Sequence, residues 1–322
     1  MNSINLSLNK GETIAFVGDA HIDSVPPSSR IDDTFQTVMN KLNFIFNKCK
    51  EENVKALFWA GDIFNKVSLP FSPVNTFMDL LIDFRNAGIQ NLAICGNHDI
   101  MRNSMDYLNR SPVQTLFSSG LMSHISKEVN VNINDDIIIH SVDYPEYPEP
   151  VKKSEKGKFN LLLCHMFINA NGFLADEKHN LTTDVIKKLK YDAIVAGHDH
   201  EEYPSMNIEG TMVYRPGSIL RGTSHDYNFT RKPNFLIMQE DRTLKKVVID
   251  HMPYKDVVSA YVLNKKQEGS ISGLQDVLSN LASTLSMSTS DDGDRILEII
   301  KTDPNLPTES RLQILEYVGE IS

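Results

Sequence analysis

Five apolar runs in this chain stop in the same way, and that repetition constrains the fold more than any other feature. TIAFVGDAH (13–21), ALFWAGD (56–62), NLAICGNHD (91–99), KFNLLLCHM (158–166) and DAIVAGHDH (192–200) each pass abruptly from apolar residues to Asp, Asn or His. Runs this short and this apolar read as buried strands. Between the first three lie segments with helical spacing. Phe35, Val38, Leu42, Ile45 and Cys49 share one face of residues 32–52. Phe77, Leu80, Leu81 and Phe84 do the same within 73–87, and Gly88 closes that segment as a C-terminal cap. Strand, helix, strand, helix, strand predicts an α/β core with parallel strands. In such a sheet the strand C-termini line one edge, so residues far apart in sequence converge there.

Later segments follow suit more loosely. DIIIHSVDY (136–144), TMVYRPGSIL (211–220), KPNFLIMQED (232–241) and DVVSAYVL (256–263) read as further strands, and 181–190 as a short helix. A Pro-rich, charged stretch (145–158) reads as a surface loop. The first ten or so residues read as an extension ahead of the first strand. Near residue 251 the texture changes, and Leu274, Val277, Leu278, Leu281 and Leu285 form a helical stripe. For 322 residues we expect a large domain, 1–250, and a smaller one, 251–322.

Three cysteines (Cys49, Cys95, Cys164) share no CxxC spacing. They read as reduced, in a cytoplasmic protein, with Cys95 and Cys164 as small core residues. No run reaches the length of a membrane span, and MNSINLSLNKGETIAF lacks the apolar core of a signal peptide. A net charge of -10 argues against unassisted binding to nucleic acid.

The residues ending the five runs are Asp19, His21, Asp62, Asn97, His98, Asp99, His165, His198 and His200. They are oxygen and nitrogen donors with no thiolate among them. That set suits Mn²⁺, Fe or Zn²⁺, and is too nitrogen-rich for Mg²⁺ or Ca²⁺ alone. Asp19 with His21, and His198 with His200, are spaced to aim two donors at one volume if the loops are extended. A single ion does not need even seven such side chains, and a set this large suits two ions bridged by a carboxylate. Two such ions would give the site a local positive surplus whatever the net charge. Arg102, Arg110, Arg215, Arg221 and Arg231 follow the site loops and are candidates to grip a nucleic-acid backbone. His124, His140, His179, His225 and His251 lack such a setting and read as structural or surface residues.

The ordered set D-x-H, GD, GNHD, H and GHxH resembles the calcineurin-like metallophosphoesterase superfamily over about residues 13–240. The resemblance implies a two-layer β sandwich flanked by helices. It also implies one divalent ion on Asp19, His21, Asp62 and His200, and another on Asp62, Asn97, His165 and His198, most simply manganese, with Mg²⁺, Fe or Zn²⁺ as alternatives. His98 would contact the scissile phosphate as acid or transition-state stabiliser, with Asp99 orienting it.

Within the superfamily the chain is similar to the SbcD-type nuclease subunit of the SbcCD and MRN double-strand-break repair complexes, phage versions included. The similarity rests on GDIFN, on the helix leading into GNHD, and on RPGSILRGTSHDYNFTRKPNFLIMQED after GHDH. It implies an exo- or endonuclease acting on DNA in repair and recombination, as a homodimer with an SbcC-type ATPase partner, for which 295–319 could serve as the docking segment. Residues 251–322 would cap the site. Asn65 departs from that branch, which has Asp or His there. Two other readings stand beside it: a small-molecule phosphodiesterase or phosphatase of the same superfamily, and a catalytically silent scaffold. GDIFNKV and GNHD depart from the GDxVDRG and GNHE of protein phosphatases.

Overall fold

A sandwich of two β-sheets forms the body of the computed structural model, which describes residues 2–152, 155, 157–169, 180–259 and 262. In spatial order the first sheet holds β1 (Asn2–Leu6), β6 (Val129–Ile133), β7 (Ile137–Val142), β8 (Phe159–His165), β11 (Ala193–Gly197), β13 (Thr211–Arg215) and β12 (Tyr203–Ile208). The second holds β15 (Leu244–Val248), β14 (Asn234–Met238), β2 (Thr13–Val17), β3 (Val54–Trp59), β4 (Gln90–Ala93) and β5 (Ser123–His124). A separate parallel pair joins β9 (Phe167–Asn169) to β10 (Asn180–Thr182). The strands that carry the motifs pair in parallel: β2 with β3, β3 with β4, and β8 with β11. Antiparallel pairs appear towards the edges, between β14 and β15 and between β12 and β13.

The apolar runs are continuous because both faces of these strands are covered. Ile14, Phe16, Phe58, Leu92, Leu161, Leu163 and Val195 fill the space between the sheets. Phe16 and Phe58 are register partners, and their rings stack at 5.2 Å. The alternate residues Ala15, Val17, Leu57 and Trp59 face outward, onto α1 (Thr34–Glu51) and α2 (Phe71–Asn86). Val38, Leu42, Ile45 and Cys49 of α1, with Phe77, Leu81 and Phe84 of α2, complete that layer. On the far side Leu162, Cys164, Ile194 and Ala196 meet Ile186 and Leu189 of a short helix, Thr183–Leu189. The α/β class and the helix-flanked sandwich are thus both present.

Several expectations need correction. The first residues are no extension: β1 pairs in parallel with β6, from Asn2↔Val129 to Leu6↔Ile133. The segment 211–220 leaves the sheet after Arg215, where Pro216 and Gly217 interrupt it. At 256–263, Tyr254–Asp256 form a 3-10 turn and Val258 makes an isolated bridge to Arg30. Apart from these corrections, the first unit of the chain runs from Met1 to Ser259. The 274–285 stripe, His179 and the 295–319 segment lie outside the described residues. No described helix is long and apolar enough to cross a membrane.

Phe77 is fully buried and meets Trp59 edge-on at 5.5 Å and Phe64 at 6.0 Å. We expect Phe77→Ala to destabilise the fold by about 3–5 kcal/mol, because transfer and cavity costs add. The measurement is a lowered urea midpoint with an unchanged slope.

Candidate metal centre

All five loops open at one end of the sandwich. Asp19 and His21 follow β2, Asp62 follows β3, and Asn97 and His98 follow β4. His165 is the last residue of β8, and His198 and His200 follow β11. The loops are not extended. His21 (φ 47°), Asp62 (φ 47°) and His198 (φ 83°) adopt left-handed backbone, so tight turns rather than strand alternation aim their side chains. Gly61 shows why the turns need glycine: its φ is 90°, and a Cβ there would lie 2.5 Å from His165 Nδ1.

The donors form two sets that share one residue. Asp19, His21, Asp62 and His200 make the first, and Asp62, His165 and His198 the second. Asn97 joins the second through Oδ1, 3.1 Å from His165 Nε2. Asp62 Oδ1 accepts the His98 N–H at 2.8 Å. Its Oδ2 is buried without a hydrogen-bond partner, 3.2 Å from His165 Nε2 and 3.7 Å from His21 Nε2. In the first set the Nε2 atoms of His21 and His200 face each other at 2.8 Å. In the second, His198 Nδ1 lies 3.2 Å from His165 Nε2.

These residues fit a pair of divalent ions. His165 Nδ1 donates to the Ala60 carbonyl at 2.7 Å, which turns Nε2 towards Asp62, Asn97 and His198. Burial opposes a charge there, yet Asp62 and Asp19 push the His165 pKa up to about 9. The surroundings therefore call for positive charge at Nε2. Burial, only partly countered by His165 and aided by Asp62, pushes Asp19 up to about 8. Burial also raises Asp62, but His165, His98 and His21 outweigh it and hold that carboxyl well below its ordinary range. Cations among these atoms would satisfy the paired ring nitrogens and both carboxylates together.

His98 stands at the edge of the set, its ring edge-on to His21 at 4.8 Å. Its Nδ1 donates to the Asn65 carbonyl at 2.7 Å. Asp99 does not orient it. Asp99 is buried, and its oxygens accept the N–H groups of Ile63 (3.1 Å), Phe64 (3.2 Å) and Gly96 (3.0 Å). It ties the Asp62 loop to the Asn97–His98 loop and is a positioning residue.

The arginines divide. Arg102 and Arg110 are exposed and flank the Tyr107 ring, at 5.6 and 5.2 Å. Arg215 is buried, its guanidinium 3.8 Å from the Tyr203 ring centre. Arg221 and Arg231 are buried and donate to main-chain carbonyls, Arg231 to Ser218 and Leu220, Arg221 to Asn228 and Met252. They brace the segment after β13, and as buried, carbonyl-bound groups they are not surface contacts for a strand of DNA.

Sequence reasoning passed over Asp23, Tyr144 and Phe167. Asp23 is buried, accepts from Asn65 Nδ2 at 2.9 Å and pairs with Lys66 at 3.1 Å. Phe167 and Tyr144 wall His198, with ring centres 4.1 and 5.7 Å away. Only proximity in the fold reveals their role.

The family model described as calcineurin-like phosphoesterase matches residues 12–202. Among solved structures, TT1561 of Thermus thermophilus is similar with a TM-score of 0.47 and 10% identity, over 74% of this chain and 99% of that one. A dimetal phosphatase from Danio rerio is similar with a TM-score of 0.46 and 10% identity, over 75% of this chain and 100% of that one. No curated protein sequence matches.

Two outcomes follow from the geometry. Burial, then the neighbouring His200, hold His21 well below its ordinary value of 6.5, so it stays neutral in the fold. Unfolded, it takes a proton near 6.5. A depressed histidine stabilises the fold above the unfolded value and loses that contribution as pH falls. His198 and His200 are depressed in the same way, to about 3 and about 4, and these three histidines outnumber the raised carboxyls Asp19 and Asp99, which act oppositely, so chelator-treated protein should show a falling Tm as pH drops below 6.5. Asp99→Ala leaves three buried N–H groups without an acceptor. Burial and the Asp62 charge push the Asp99 pKa up to about 7, so removing the carboxyl also relieves an unfavourable charge. We expect a net loss of about 1–3 kcal/mol in urea unfolding.

Proposed function

The chain belongs to the calcineurin-like phosphoesterase family, whose members hydrolyse phosphoesters, and from that premise we propose that it is a dimetal nuclease cutting DNA phosphodiesters. The observation that carries this reading is the placement of Asp62, one oxygen held by the His98 amide and the other bare between two sets of histidines. Two divalent ions held by these sets, manganese by our reading, would supply Lewis-acid charge to a phosphate and make water nucleophilic near neutral pH.

The chain's own residues do the rest. The Asn65 carbonyl holds His98 Nδ1–H, so Nε2 is the nitrogen left to meet substrate. With a proton on Nε2 it would donate to a phosphoryl or departing 3′ oxygen. Asp99 keeps the His98 and Asp62 loops in register. A cavity of about 260 Å³ opens beside His21 and His200, lined in part by Asn65, Lys66, Ser218 and Thr223. Lys66 is exposed there and can meet a phosphate. DNA as substrate is supported by the likeness of GDIFN and of the Pro216–Gly217–Ser218 segment to SbcD-type nucleases. With it we carry a homodimer and an SbcC-type ATPase partner.

A small diester is the second reading. It is favoured by the net charge of -10 and by the apolar wall of Val25, Pro26, Pro27 and Leu220 in the same cavity.

The deciding assay gives the purified chain Mn²⁺ and offers labelled linear DNA, circular single-stranded DNA and bis-p-nitrophenyl phosphate. We expect cleavage of DNA. Turnover of the small diester with both DNAs intact would transfer the assignment to the second reading. His98→Ala should keep its metals and lose about 10²- to 10⁴-fold in turnover; loss of metal in that variant would contradict the role given to His98.

A further inference from the structure

Cys95, His124 and Asp143 lie at or just past the ends of three strands from two sheets and meet beside the Gly96–Asp99 loop. Cys95 lies just past β4, His124 ends β5, and Asp143 directly follows β7. Their side-chain donor atoms all fall within 4.8 Å of one another. His124 Nε2 is 3.0 Å from each oxygen of Asp143 and 3.9 Å from Cys95 Sγ. A single N–H serves one acceptor well, and here one nitrogen faces three candidate acceptor atoms. The surroundings hold each group in place. Asp143 Oδ1 also accepts the Cys95 N–H at 2.7 Å, and Phe117 stacks on the His124 ring at 4.8 Å. Cys95 and Asp143 are buried, while His124 keeps 26% of its side-chain surface, so the cluster is reached from solvent on that side.

The geometry points to a thiolate-containing cation site at Cys95, His124 and Asp143, separate from the phosphoesterase centre and selective for Zn²⁺ over Mn²⁺. Zinc bonds of about 2.3 Å to sulfur and about 2.0–2.2 Å to nitrogen and oxygen imply tetrahedral spacings of about 3.6 Å for N···S and about 3.3 Å for N···O. The observed 3.9 and 3.0 Å differ from these by only a few tenths of an ångström. Three protein ligands leave a fourth position for water on the open His124 side. Sulfur, imidazole and carboxylate together suit a borderline ion, whereas Mn²⁺ prefers oxygen-rich sets. Binding forms the metal–sulfur bond as the thiol proton passes to solvent, with no change of oxidation state. Such an ion would join the two sheets next to the loop that carries Asn97 and His98. Its role would be to fix that loop, not to touch substrate. Among the described residues, no other thiol belongs to a set of this kind.

The test strips the full chain with chelator and titrates it with Co²⁺, a spectroscopic stand-in for zinc. A near-ultraviolet thiolate-to-cobalt band should appear in the native chain and in Cys49→Ala. It should vanish in Cys95→Ser, which should also retain one metal ion fewer per chain. Since Cys95→Ser could perturb the core, His124→Gln at the partly exposed position gives a second measure: the cobalt affinity read from the thiolate band should fall at least about tenfold. Absence of the band in the native chain at saturating Co²⁺, or its persistence in Cys95→Ser, would overturn the site. The phosphodiesterase assay and the visible bands of the nitrogen–oxygen centre report separately, so failure of one reading leaves the other standing.

Discussion

The active end of the molecule is organised around one buried carboxylate, that of Asp62. Its main-chain carbonyl accepts the N–H groups of Ala20 and His21, both at 3.0 Å, which fixes the first loop on the second. Its Oδ1 takes the His98 amide from the third loop, and its Oδ2 is presented to histidines from both sheets. A carboxylate in such a place cannot be hydrated, so its charge must be met by fixed groups or cations. The left-handed backbone at Asp62 and His21 and the glycines at Gly61 and Gly96 serve that close approach. Change the position of Asp62 and both sets of donors lose their common member.

That arrangement explains why so much of the site was legible in sequence. An apolar strand that ends in a buried polar loop must switch composition within a residue or two, and the five motif runs do so. The donors in GNHD and GHDH could be read because their residue types have few structural uses in such a setting. Asp99 was legible as a site residue but not in its role, since three amide partners from two loops cannot be inferred from spacing. Cys95, His124 and Asp143 carry no mutual spacing at all; each is ordinary in its own segment, and only the parallel pairing of β4 with β5 and the apposition of the sheets bring them together.

The fold divides in the same manner. Strands covered on both faces gave continuous apolar runs, and α1 and α2 gave helical periodicity, so the centre of the molecule could be read directly. The edge strands could not. β1 is NSINL and β12 is YPSMNI, both rich in polar residues because part of each strand faces solvent. Their membership depends on backbone bonds to partners more than a hundred residues away for β1, and on a register shift between Tyr203 and Met206 for β12. Neither feature leaves a compositional trace.

Behind the candidate metal centre lies a less expected feature, a group of buried basic side chains. Lys41, Arg30, Arg221 and Arg231 are all nearly inaccessible, and Asp32 is the carboxylate that pairs with one of them, Arg30. Burial, then Arg221, Arg30 and Arg231, hold the Lys41 pKa well below its ordinary value, which measures the cost of crowding like charges out of water. The return is structural. Lys41 donates to the Ile219 carbonyl and Arg231 to those of Ser218 and Leu220, and this braced segment reaches back to the centre. Ile219 N–H bonds the Asp19 carbonyl at 2.9 Å, and Ser218 N–H bonds that of His200 at 3.2 Å. Arg231 also acts at a distance, since it opposes protonation of His200 and is itself drawn by Asp19.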